Sequence, residues 1–532
     1  MKSGSQFIYS RPQRLLHDGL IASVERHPDK VAIIVDGKFY TYDELYDSAK
    51  RLAKVLIDRG VERGDRVAIY MDNTWPCVIS IYAVLLSGGV FFTINPQTKA
   101  DKLKYVLNNS GAKILVTNSL LAKVFIPALG NTPLVNNIIL SGKKLDNVDL
   151  KNISMEYFDE VIANSEVKTL AVEVIPNDLA ALIYTSGSTG FPKGVMQTHQ
   201  SMVFAAWSLI EYQRLSEDDR ILLVLPLAFD YGLYQLLMTI KLGATLVIER
   251  SFTFPVKVYQ KIDEESVTVF PAVPTIFATM IYAHKEKKLC FPSITRITNT
   301  AAALPVDFIP YLHEIFPNAL IYKMYGLTEC KRVCYLEPEL IDVNPKSVGR
   351  AIPGTEVFLL SSEGESVSPG EHGILHVRGP HIMAGYWKDP ERSAKMLKDG
   401  DLPGERVLCT HDIFKMDEEG LLYFVGRSDD IIKTRGEKVS PVEVENILHG
   451  LSGIKEIGIV GVHDDILGQA IKAFVVLETG SDLNDKKIRK YCLSHLENFM
   501  VPNDFIYVNK LPKTSNGKID KNALQKMLTH EK

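Results

Sequence analysis

A loop rich in glycine and hydroxyl groups, followed by a lysine, is the part of the sequence best suited to chemistry. Residues 184–194 read Tyr-Thr-Ser-Gly-Ser-Thr-Gly-Phe-Pro-Lys-Gly and directly follow an apolar run at 179–183. Glycines free the backbone to curve around an anion, hydroxyl and backbone N–H groups donate hydrogen bonds, and Lys193 adds a positive charge. No Ser or Thr follows the lysine, so this is not the P-loop of nucleotide kinases. We therefore predict a phosphate-binding loop of another type.

Further polar motifs follow at intervals along the chain. They are Met-Tyr-Gly-Leu-Thr-Glu at 324–329, Thr-His-Asp at 410–412, Gly-Arg-Ser-Asp-Asp at 426–430 and a basic, glycine-containing loop at 511–521. The flat ring of Tyr325 is suited to stacking on an adenine face, and Glu329 offers hard oxygen ligands to a hard cation such as Mg²⁺. Asp412 could accept hydrogen bonds from two hydroxyl groups. These residue types are suited to binding a flat ring, a cation and hydroxyl groups.

Strand-like and helical segments alternate over the first part of the chain. Apolar runs typical of strands lie at 31–35, 39–41, 66–71, 113–117, 137–140, 179–185, 221–225, 244–248, 267–270 and 319–324. Asp36-Gly37 joins the first two runs with a strong hairpin signal, and a helix is predicted from 42 to 59. Strands that alternate with helices favour parallel sheets with helices on their faces.

The pattern changes after residue 348, where antiparallel strands are predicted at 357–360, 373–378 and 421–425. A compact tail with both helices and strands follows Arg427. The predicted fold class is α/β: a large N-terminal domain of parallel and mixed sheets with helices plus a β-rich subdomain, and a small α+β C-terminal domain. The predicted domains occupy residues 1–428 and 429–532.

The composition is that of an ordinary globular protein and excludes several classes. The chain has 532 residues, of which 46% are hydrophobic and 23% charged, and a formal net charge of −4. This balance argues against a general nucleic-acid binder, which shows a basic excess. The 6 cysteines are scattered, which indicates free thiols rather than a disulfide framework. No segment predicts a signal peptide or a membrane span, so a cytoplasmic enzyme is expected.

Taken together and in this order, the motifs resemble those of the adenylate-forming superfamily, which includes acyl-CoA synthetases, adenylation domains of nonribosomal peptide synthetases, and luciferases. The similarity extends from Leu15 to Leu524. The resemblance implies an enzyme that uses ATP and Mg²⁺ to convert a carboxylic acid to its acyl-adenylate, with release of pyrophosphate. A thiol then takes up the acyl group as a thioester.

The resemblance also implies roles for individual residues. Lys518 corresponds to the catalytic lysine, Thr328 to an α-phosphate contact, and Glu329 to the Mg²⁺ ligand. Asp429 corresponds to the hinge between an N-terminal AMP-binding domain at residues 1–428 and a mobile C-terminal domain at residues 429–532. The implied ATP-binding residues are Thr185, Ser186, Gly187, Ser188, Thr189, Gly190, Lys193, Thr300, Ala301, Ala302, Tyr325, Gly326, Asp412 and Arg427. His411 and the run 300–302 stand where the family has glycines.

One acidic residue bears on which acid is activated. Asp230 follows Phe229, and the resemblance matches it to the aspartate that pairs with the substrate α-amine in amino-acid adenylation domains. A buried carboxylate is costly unless it is paired, which favours a cationic group on the substrate. The implied substrate pocket consists of Asp230, Tyr231, Tyr234, Pro271, Met324, Arg332 and Val333. We predict a small or cyclic amino acid such as proline, and Arg332 is left to pair with a second substrate carboxylate or with Glu337.

The sequence leaves two classes of thiol acceptor as alternatives. We see no serine-centred carrier domain in the sequence, so the thiol is predicted to come in trans, from a phosphopantetheinyl carrier protein or from CoA. Residues 326–333 look like those of stand-alone amino-acid ligases of the prolyl type, which load carrier proteins in natural product biosynthesis, whereas residues 436–441 resemble CoA ligases. The alternative function is therefore an acyl-CoA synthetase for a non-amino acid. A non-catalytic homologue would be expected to lack Lys518 or Glu329, and both are present.

Overall fold

The computed structural model describes most of the chain. The described residues are 13–145, 150, 153–166, 170, 172–185, 192–427, 430–434, 437–464, 467–496, 498–514 and 517–529. Most of the predicted phosphate loop and the predicted hinge lie outside them, namely Ser186, Gly187, Ser188, Thr189, Gly190 and Asp429.

The strands form four sheets in the described part of the chain. In chain order they are β1 (Val31–Val35), β2 (Lys38–Thr41), β3 (Arg66–Tyr70), β4 (Val90–Ile94), β5 (Ile114–Asn118), β6 (Asn137–Ser141), β7 (Ser154–Tyr157), β8 (Leu179–Thr185), β9 (Lys193–Thr198), β10 (Arg220–Leu223), β11 (Thr245–Ile248), β12 (Val269–Ala272), β13 (Arg296–Asn299), β14 (Leu320–Tyr325), β15 (Cys334–Leu336), β16 (Arg350–Ala351), β17 (Glu356–Leu360), β18 (His372–Arg378), β19 (Gly385–Tyr386), β20 (Leu397–Asp399), β21 (Arg406–Met416), β22 (Leu422–Arg427), β23 (Ile432–Thr434), β24 (Glu437–Val439), β25 (Ile454–Asp464), β26 (Gly468–Leu477) and β27 (Asp504–Tyr507).

The α-helices lie mainly between these strands. They are α1 (Asp18–Arg26), α2 (Tyr42–Asp58), α3 (Trp75–Leu86), α4 (Ala100–Ser110), α5 (Ala122–Leu129), α6 (Phe158–Asn164), α7 (His199–Tyr212), α8 (Asp230–Leu242), α9 (Pro255–Glu264), α10 (Pro274–Lys287), α11 (Ile309–Ile315), α12 (Pro390–Met396), α13 (Pro441–His449), α14 (Asp485–His495) and α15 (Lys521–Thr529).

Two large, mostly parallel sheets form the body of the protein. One has the strand order β16-β15-β14-β13-β12-β10-β11-β1-β2, and the other has the order β19-β9-β8-β4-β3-β5-β6-β7. The largest apolar core joins side chains of both sheets with those of α2, α3, α7 and α8. Burial of helix faces against sheets is the arrangement expected of the α/β class, and that prediction is confirmed.

The hairpin and the helix predicted near the start form for the expected reasons. β1 and β2 pair antiparallel with Ile34 opposite Phe39, and Asp36 adopts a positive φ of 50° in the turn. At the start of α2, Thr41 Oγ1 accepts a hydrogen bond from the Glu44 N–H, and Glu44 Oε2 accepts one from the Thr41 N–H. This reciprocal cap satisfies N–H groups that have no partner inside the helix, which fixes where α2 begins.

The strands that lead into the predicted nucleotide-binding motifs have their carboxyl ends along one edge of each large sheet. β12, β13 and β14 are parallel neighbours, so their carboxyl ends lie side by side. Tyr325 ends β14, and Thr185 ends β8 in the other sheet. Ligands of open α/β sheets bind beyond such carboxyl ends. The topology therefore places the motif at 324–329 where a ligand is expected.

A separate antiparallel sheet carries the Thr410-His411-Asp412 motif. Its order is β17-β18-β21-β20, with β22 beside β21, and the motif lies within β21. The sequence predicted antiparallel structure in this region but no strand over 406–416. The pairing of β18 with β21 shifts register between Ile374 and His376. On its other side β21 pairs with β22, and there Asp412 lies opposite Arg427.

The last sheet, β24-β23-β26-β25 with β27 beside β26, forms a small α+β unit with α13, α14 and α15. Two apolar clusters in this unit contain only residues from Ile432 onward, so the unit has a core of its own. A boundary between residues 428 and 429 stays a prediction, because both lie outside the described residues. In the described residues, no helix is long and apolar enough to cross a membrane.

Candidate active site

Lys193, Glu329 and Tyr386 meet in one polar cluster. Lys193 Nζ lies 2.9 Å from Glu329 Oε1 and 2.7 Å from Tyr386 Oη, and the Tyr386 hydroxyl donates to the same carboxylate oxygen at 2.5 Å. Glu329 and Tyr386 are buried. Burial, reinforced by the Glu329 carboxylate, raises the pKa of Tyr386, so its hydroxyl remains a hydrogen-bond donor. Lys193 is the first residue of β9 and follows the predicted phosphate loop in the chain.

The carboxylate of Glu329 keeps one oxygen for a cation. Oε1 takes both contacts of the cluster, whereas Oε2 accepts no hydrogen bond from the described residues. In that part of the chain, no group of three or more His, Cys, Asp or Glu side chains could hold a metal by itself. Mg²⁺ commonly binds through one or two carboxylates together with substrate phosphates. The residues present therefore fit a Mg²⁺ ion that is shared between Glu329 and a nucleotide.

Tyr325, Asp412 and Arg427 form a second cluster. The Tyr325 hydroxyl donates to Asp412 Oδ2, and Arg427 Nε lies 3.6 Å from Asp412 Oδ1. Oδ1 is buried and accepts no hydrogen bond from the described residues. Burial raises the pKa of Asp412, and the Arg427 charge and the Tyr325 hydroxyl oppose that shift. A buried acceptor without a donor fits a ligand that brings hydroxyl groups, such as a ribose.

Residues that replace the family's glycines keep a glycine-like backbone. Ala301 has a φ of 75° and His411 a φ of 57°, both in the left-handed region that only glycine adopts without strain. Ala302, the next residue of the first loop, is exposed. At Gly326 a Cβ atom would lie 2.5 Å from the carbonyl oxygen of Lys331, so the chain can fold back here only over a glycine.

The threonines predicted to contact ATP lie in different surroundings. Thr185 Oγ1 is buried and has no hydrogen-bond partner among the described residues. The carbonyl oxygen of Thr328 accepts a hydrogen bond from Gln197 Nε2 at 3.0 Å, which fixes the backbone of the motif. Thr300 Oγ1 instead accepts a hydrogen bond from Arg332. Its hydroxyl is thus engaged with a residue of the predicted substrate pocket.

Substitution of Tyr325 by phenylalanine tests the second cluster. We expect Tyr325→Phe to raise the KM for ATP about 10-fold, because a hydrogen bond to a charged group contributes about 1.5–3 kcal/mol. The ring would still pack against Phe414, whose centroid lies 4.8 Å away, so kcat should change less than KM. The measurement is the ATP dependence of pyrophosphate exchange. An unchanged KM would mean that the hydroxyl does not orient Asp412 for the nucleotide.

The basic loop near the end of the chain brings Lys518 to the same place. The carboxylates of Asp412, Asp230 and Glu329 all lie near enough for their charges to act on it. Surrounding protein lowers the pKa of Lys518, and Asp412 and Asp230 oppose that shift. The residue as a whole is exposed, although the protein around its ammonium end desolvates that group enough to lower its pKa. The structure thus brings Lys518 together with residues from β21, α8 and the 324–329 motif.

Asp230 has a cation supplied by the chain itself. Lys331 Nζ donates to the Asp230 carbonyl oxygen at 2.8 Å and lies 3.8 Å from Oδ2. The Lys331 side chain is only 2% exposed, whereas that of Asp230 is 25% exposed. Burial lowers the pKa of Lys331 to about 7, against the opposing charge of Asp230. The sequence predicts that Asp230 pairs with a substrate amine, and its local pattern does not point to this lysine.

Arg332 does not pair with Glu337, so that alternative is wrong. Glu337 Oε1 lies 3.3 Å from Arg350 Nη1 instead. Arg332 is buried, and its Nη1 donates to Thr300 Oγ1. Its guanidinium carbon lies 5.3 Å from the centre of the Tyr231 ring. Arg332 therefore contacts residues of the predicted pocket. Glu337, which follows β15 in the chain, contacts Arg350 instead.

The other predicted pocket residues are all buried; they are Tyr231, Tyr234, Pro271, Met324 and Val333. The Tyr231 hydroxyl donates to the carbonyl oxygen of Thr298 at 2.8 Å, and Pro271 lies opposite Thr298 across β12 and β13. The ring of Tyr234 lies 4.4 Å from Lys331 Nζ. Aromatic rings and a buried cation thus share this pocket.

Sequence reasoning missed Lys331, Tyr386 and Gln197. Lys331 follows Glu329 by two residues and stands beside Arg332, so two adjacent cations in the motif were a usable signal. Tyr386 and Gln197 belong to β19 and β9, which pair antiparallel although they are far apart in the chain. No local pattern marks either residue.

Comparisons with family models and with known proteins place the chain in the same family. A family model described as AMP-binding enzyme matches residues 20–387, and a model described as AMP-binding enzyme C-terminal domain matches residues 443–518. The chain is 32% identical to a long-chain-fatty-acid–CoA ligase of Bacillus subtilis (strain 168), over 96% of this chain and 93% of that protein. It is 30% identical to surfactin synthase subunit 2 of the same organism, over 94% of this chain but only 14% of that protein.

Solved structures agree with this result. The o-succinylbenzoate CoA synthetase of Bacillus subtilis, in complex with ATP and magnesium ion, superposes with a TM-score of 0.82 and 26% identity, covering 95% of this chain and 98% of that one. The chain is thus similar to CoA ligases over nearly their whole length. It is similar to only a small part of surfactin synthase subunit 2.

Proposed function

Because this chain belongs to the AMP-binding enzyme family and is an adenylate-forming acid–thiol ligase that uses ATP and Mg²⁺, we propose that it activates a carboxylic acid without an amino group and transfers it to CoA. The contact between Asp230 and Lys331 carries this proposal. A carboxylate that already has a cation from the chain needs no substrate amine to compensate its charge. The similarity to a CoA ligase over 93% of that protein supports the same acceptor.

The first half-reaction joins two anions. The substrate carboxylate attacks the α-phosphorus of ATP, and pyrophosphate leaves. Orientation and charge stabilisation therefore dominate the barrier. In our proposal Lys518 contacts the carboxylate and the α-phosphate, and Lys193 contacts the β- and γ-phosphates together with the loop at 186–190. Mg²⁺ neutralises phosphate charge when bound, and Glu329 Oε2 is the oxygen that would hold it.

Residues of the second cluster would orient the nucleoside. We propose that the Tyr325 ring lies against adenine and that Asp412 accepts hydrogen bonds from the ribose hydroxyls. Arg427 would hold that carboxylate ionised, because a cation beside a carboxylate favours its charged form. Thr328 and Thr185 would donate to phosphate oxygens, and the short loop at 300–302 would let adenine approach the backbone.

The second half-reaction needs a different arrangement. In our proposal residues 429–532 move as a unit about Asp429, which withdraws Lys518 from the acyl-adenylate. The thiol then enters, attacks the acyl carbon and displaces AMP. Hinges need only a few residues that absorb the backbone rotation. The separate apolar core of the C-terminal unit is consistent with such a motion.

ATP–pyrophosphate exchange tests the substrate class. We expect exchange with carboxylic acids that lack an amine, and AMP release that requires CoA. A paired variant, Asp230→Asn with Lys331→Met, removes both charges of this ion pair together, so neither partner is left as an unpaired buried charge. It should retain exchange with non-amino acids to within about tenfold, because neither charge contacts their reacting group. Exchange with one amino acid alone, lost in this variant, would overturn the proposal.

That contrary outcome defines the second candidate function, activation of a small or cyclic amino acid and its transfer to a phosphopantetheinyl carrier protein. It is favoured by the Asp230 side chain, which remains 25% exposed although Lys331 lies beside it, and so could still reach an amine. The 30% identity to surfactin synthase subunit 2 is a second support. AMP release driven by a carrier protein but not by CoA would decide for this candidate.

A further inference from the structure

Within the part of the chain that the structure describes, Arg332 is a buried cation without an anionic partner. The residue is 3% exposed. Its Nη1 donates to the neutral hydroxyl of Thr300, and its Nε is buried with no hydrogen-bond partner. Among the described residues, no carboxylate lies within 4.0 Å of the guanidinium, since Glu337, the acid considered for it, is held by Arg350. The structure therefore leaves one positive charge in the pocket uncompensated.

The neighbouring groups do not compensate that charge. Lys331 is a second basic residue of the pocket, and among the described residues Asp230 is the carboxylate that contacts it. The Tyr231 ring lies 5.3 Å from the guanidinium carbon and offers a π-face, which stabilises a cation less than an ion does. Among the described residues, the pocket thus offers Arg332 no anion before a substrate enters, whether or not Lys331 is protonated.

A second polar group in the pocket also has no partner. Tyr234 is 3% exposed, and its hydroxyl is buried without a hydrogen bond to the described residues. The charges of Asp230 and Arg332 both act on this tyrosine, so it lies in the same part of the pocket. A hydroxyl donor beside an uncompensated guanidinium is a suitable pair of contacts for one carboxylate.

We propose that Arg332 binds a second carboxylate of the substrate, so that the acid activated by this enzyme is a dicarboxylic acid. This inference rests on the proposed function, since it assigns the far end of the acid that the same site adenylates. One carboxylate reacts at Lys518, and the other is held by Arg332. A buried guanidinium is costly while unpaired, and a substrate carboxylate would remove that cost on binding.

Matched pairs of acids test this assignment in the pyrophosphate exchange assay. Butyrate is compared with succinate, pentanoate with glutarate, hexanoate with adipate, and benzoate with isophthalate. We expect the preferred diacid to exceed its monoacid about 100-fold in kcat/KM, because losing one partner of a buried charge pair has an effect of that order. Arg332→Gln should reduce this preference to a few-fold through the KM for the acid, with the KM for ATP unchanged. Arg332→Lys, which keeps the charge, should retain part of it.

The outcomes separate this inference from the proposed function. Equal exchange with both members of every pair, unchanged in Arg332→Gln, would overturn the inference and leave the proposed function standing. Exchange only with an amino acid that has one carboxylate would overturn both. Melting of the ligand-free protein gives a second readout: Arg332→Gln should melt at the same or a higher temperature, since it removes an unpaired buried charge. A lower melting temperature together with an intact diacid preference would make Arg332 a structural residue and overturn the inference.

Discussion

Lys518→Ala should slow pyrophosphate exchange about 10²–10³-fold, which is the effect of removing one group that stabilises charge in a transition state. The reason is the position of the ammonium group, on which the charges of Asp412, Asp230 and Glu329 all act. Two anions must approach each other there, and the residue as a whole is exposed. Formation of the thioester from acyl-adenylate supplied as a reagent should change only a few-fold, because the role proposed for Lys518 lies in the first half-reaction.

A nearby lysine on the same loop gives the matched control. Lys513 Nζ lies 2.7 Å from Glu456 Oε1 in an exposed ion pair, and such pairs contribute about 0–1 kcal/mol to stability. Lys513→Ala should therefore leave both half-reactions unchanged. Equal losses of exchange in the two variants would mean that the loop matters only as a whole. Equal losses of both half-reactions in Lys518→Ala would contradict a role confined to adenylation.

The parts of the fold that local pattern determines were predictable. The hairpin of β1 and β2 and the cap of α2 depend on residues within a few positions of each other. β21 was not predicted, because its residues do not alternate: three apolar residues at 407–409 are followed by three polar residues at 410–412. That strand depends on its pairing with β18 and β22 rather than on its own sequence.

The residues of the candidate site also fall into a group that the sequence predicted and a group that it did not. Tyr325, Glu329 and Asp412 lie in recognisable motifs, and the structure brings their side chains to Lys193, Lys518 and Arg427. The contact between Lys331 and Asp230 was not predictable, since the two residues are 101 positions apart. It depends on the turn after Gly326, where the backbone folds back and Lys331 adopts a φ of 64°. Local motifs therefore mark the predicted nucleotide-binding residues, whereas the ion pairs of the pocket depend on contacts between distant parts of the chain.

Glu329→Gln should reduce pyrophosphate exchange about 10²–10³-fold at ordinary Mg²⁺ concentration, because it removes the carboxylate that would hold the ion against the phosphates. The amide has nearly the same shape and can still accept from Lys193 and Tyr386 through its remaining oxygen, so the cluster should keep its geometry. The measurement is exchange as a function of Mg²⁺ concentration at fixed ATP. We expect the variant to require more Mg²⁺ and to regain part of its activity when Mg²⁺ is raised.

Tyr386→Phe separates the metal role from the hydrogen bonds of the cluster. It removes the donor to Glu329 Oε1 and leaves Oε2, which accepts no hydrogen bond from the described residues, unaltered. Because one hydrogen bond to a charged group is lost, exchange should fall about tenfold. The Mg²⁺ dependence should stay that of the wild type. If Tyr386→Phe shifts the Mg²⁺ dependence as far as Glu329→Gln does, the carboxylate acts by ordering Lys193 rather than by binding the ion, because the hydroxyl and the carboxylate then serve the same contact.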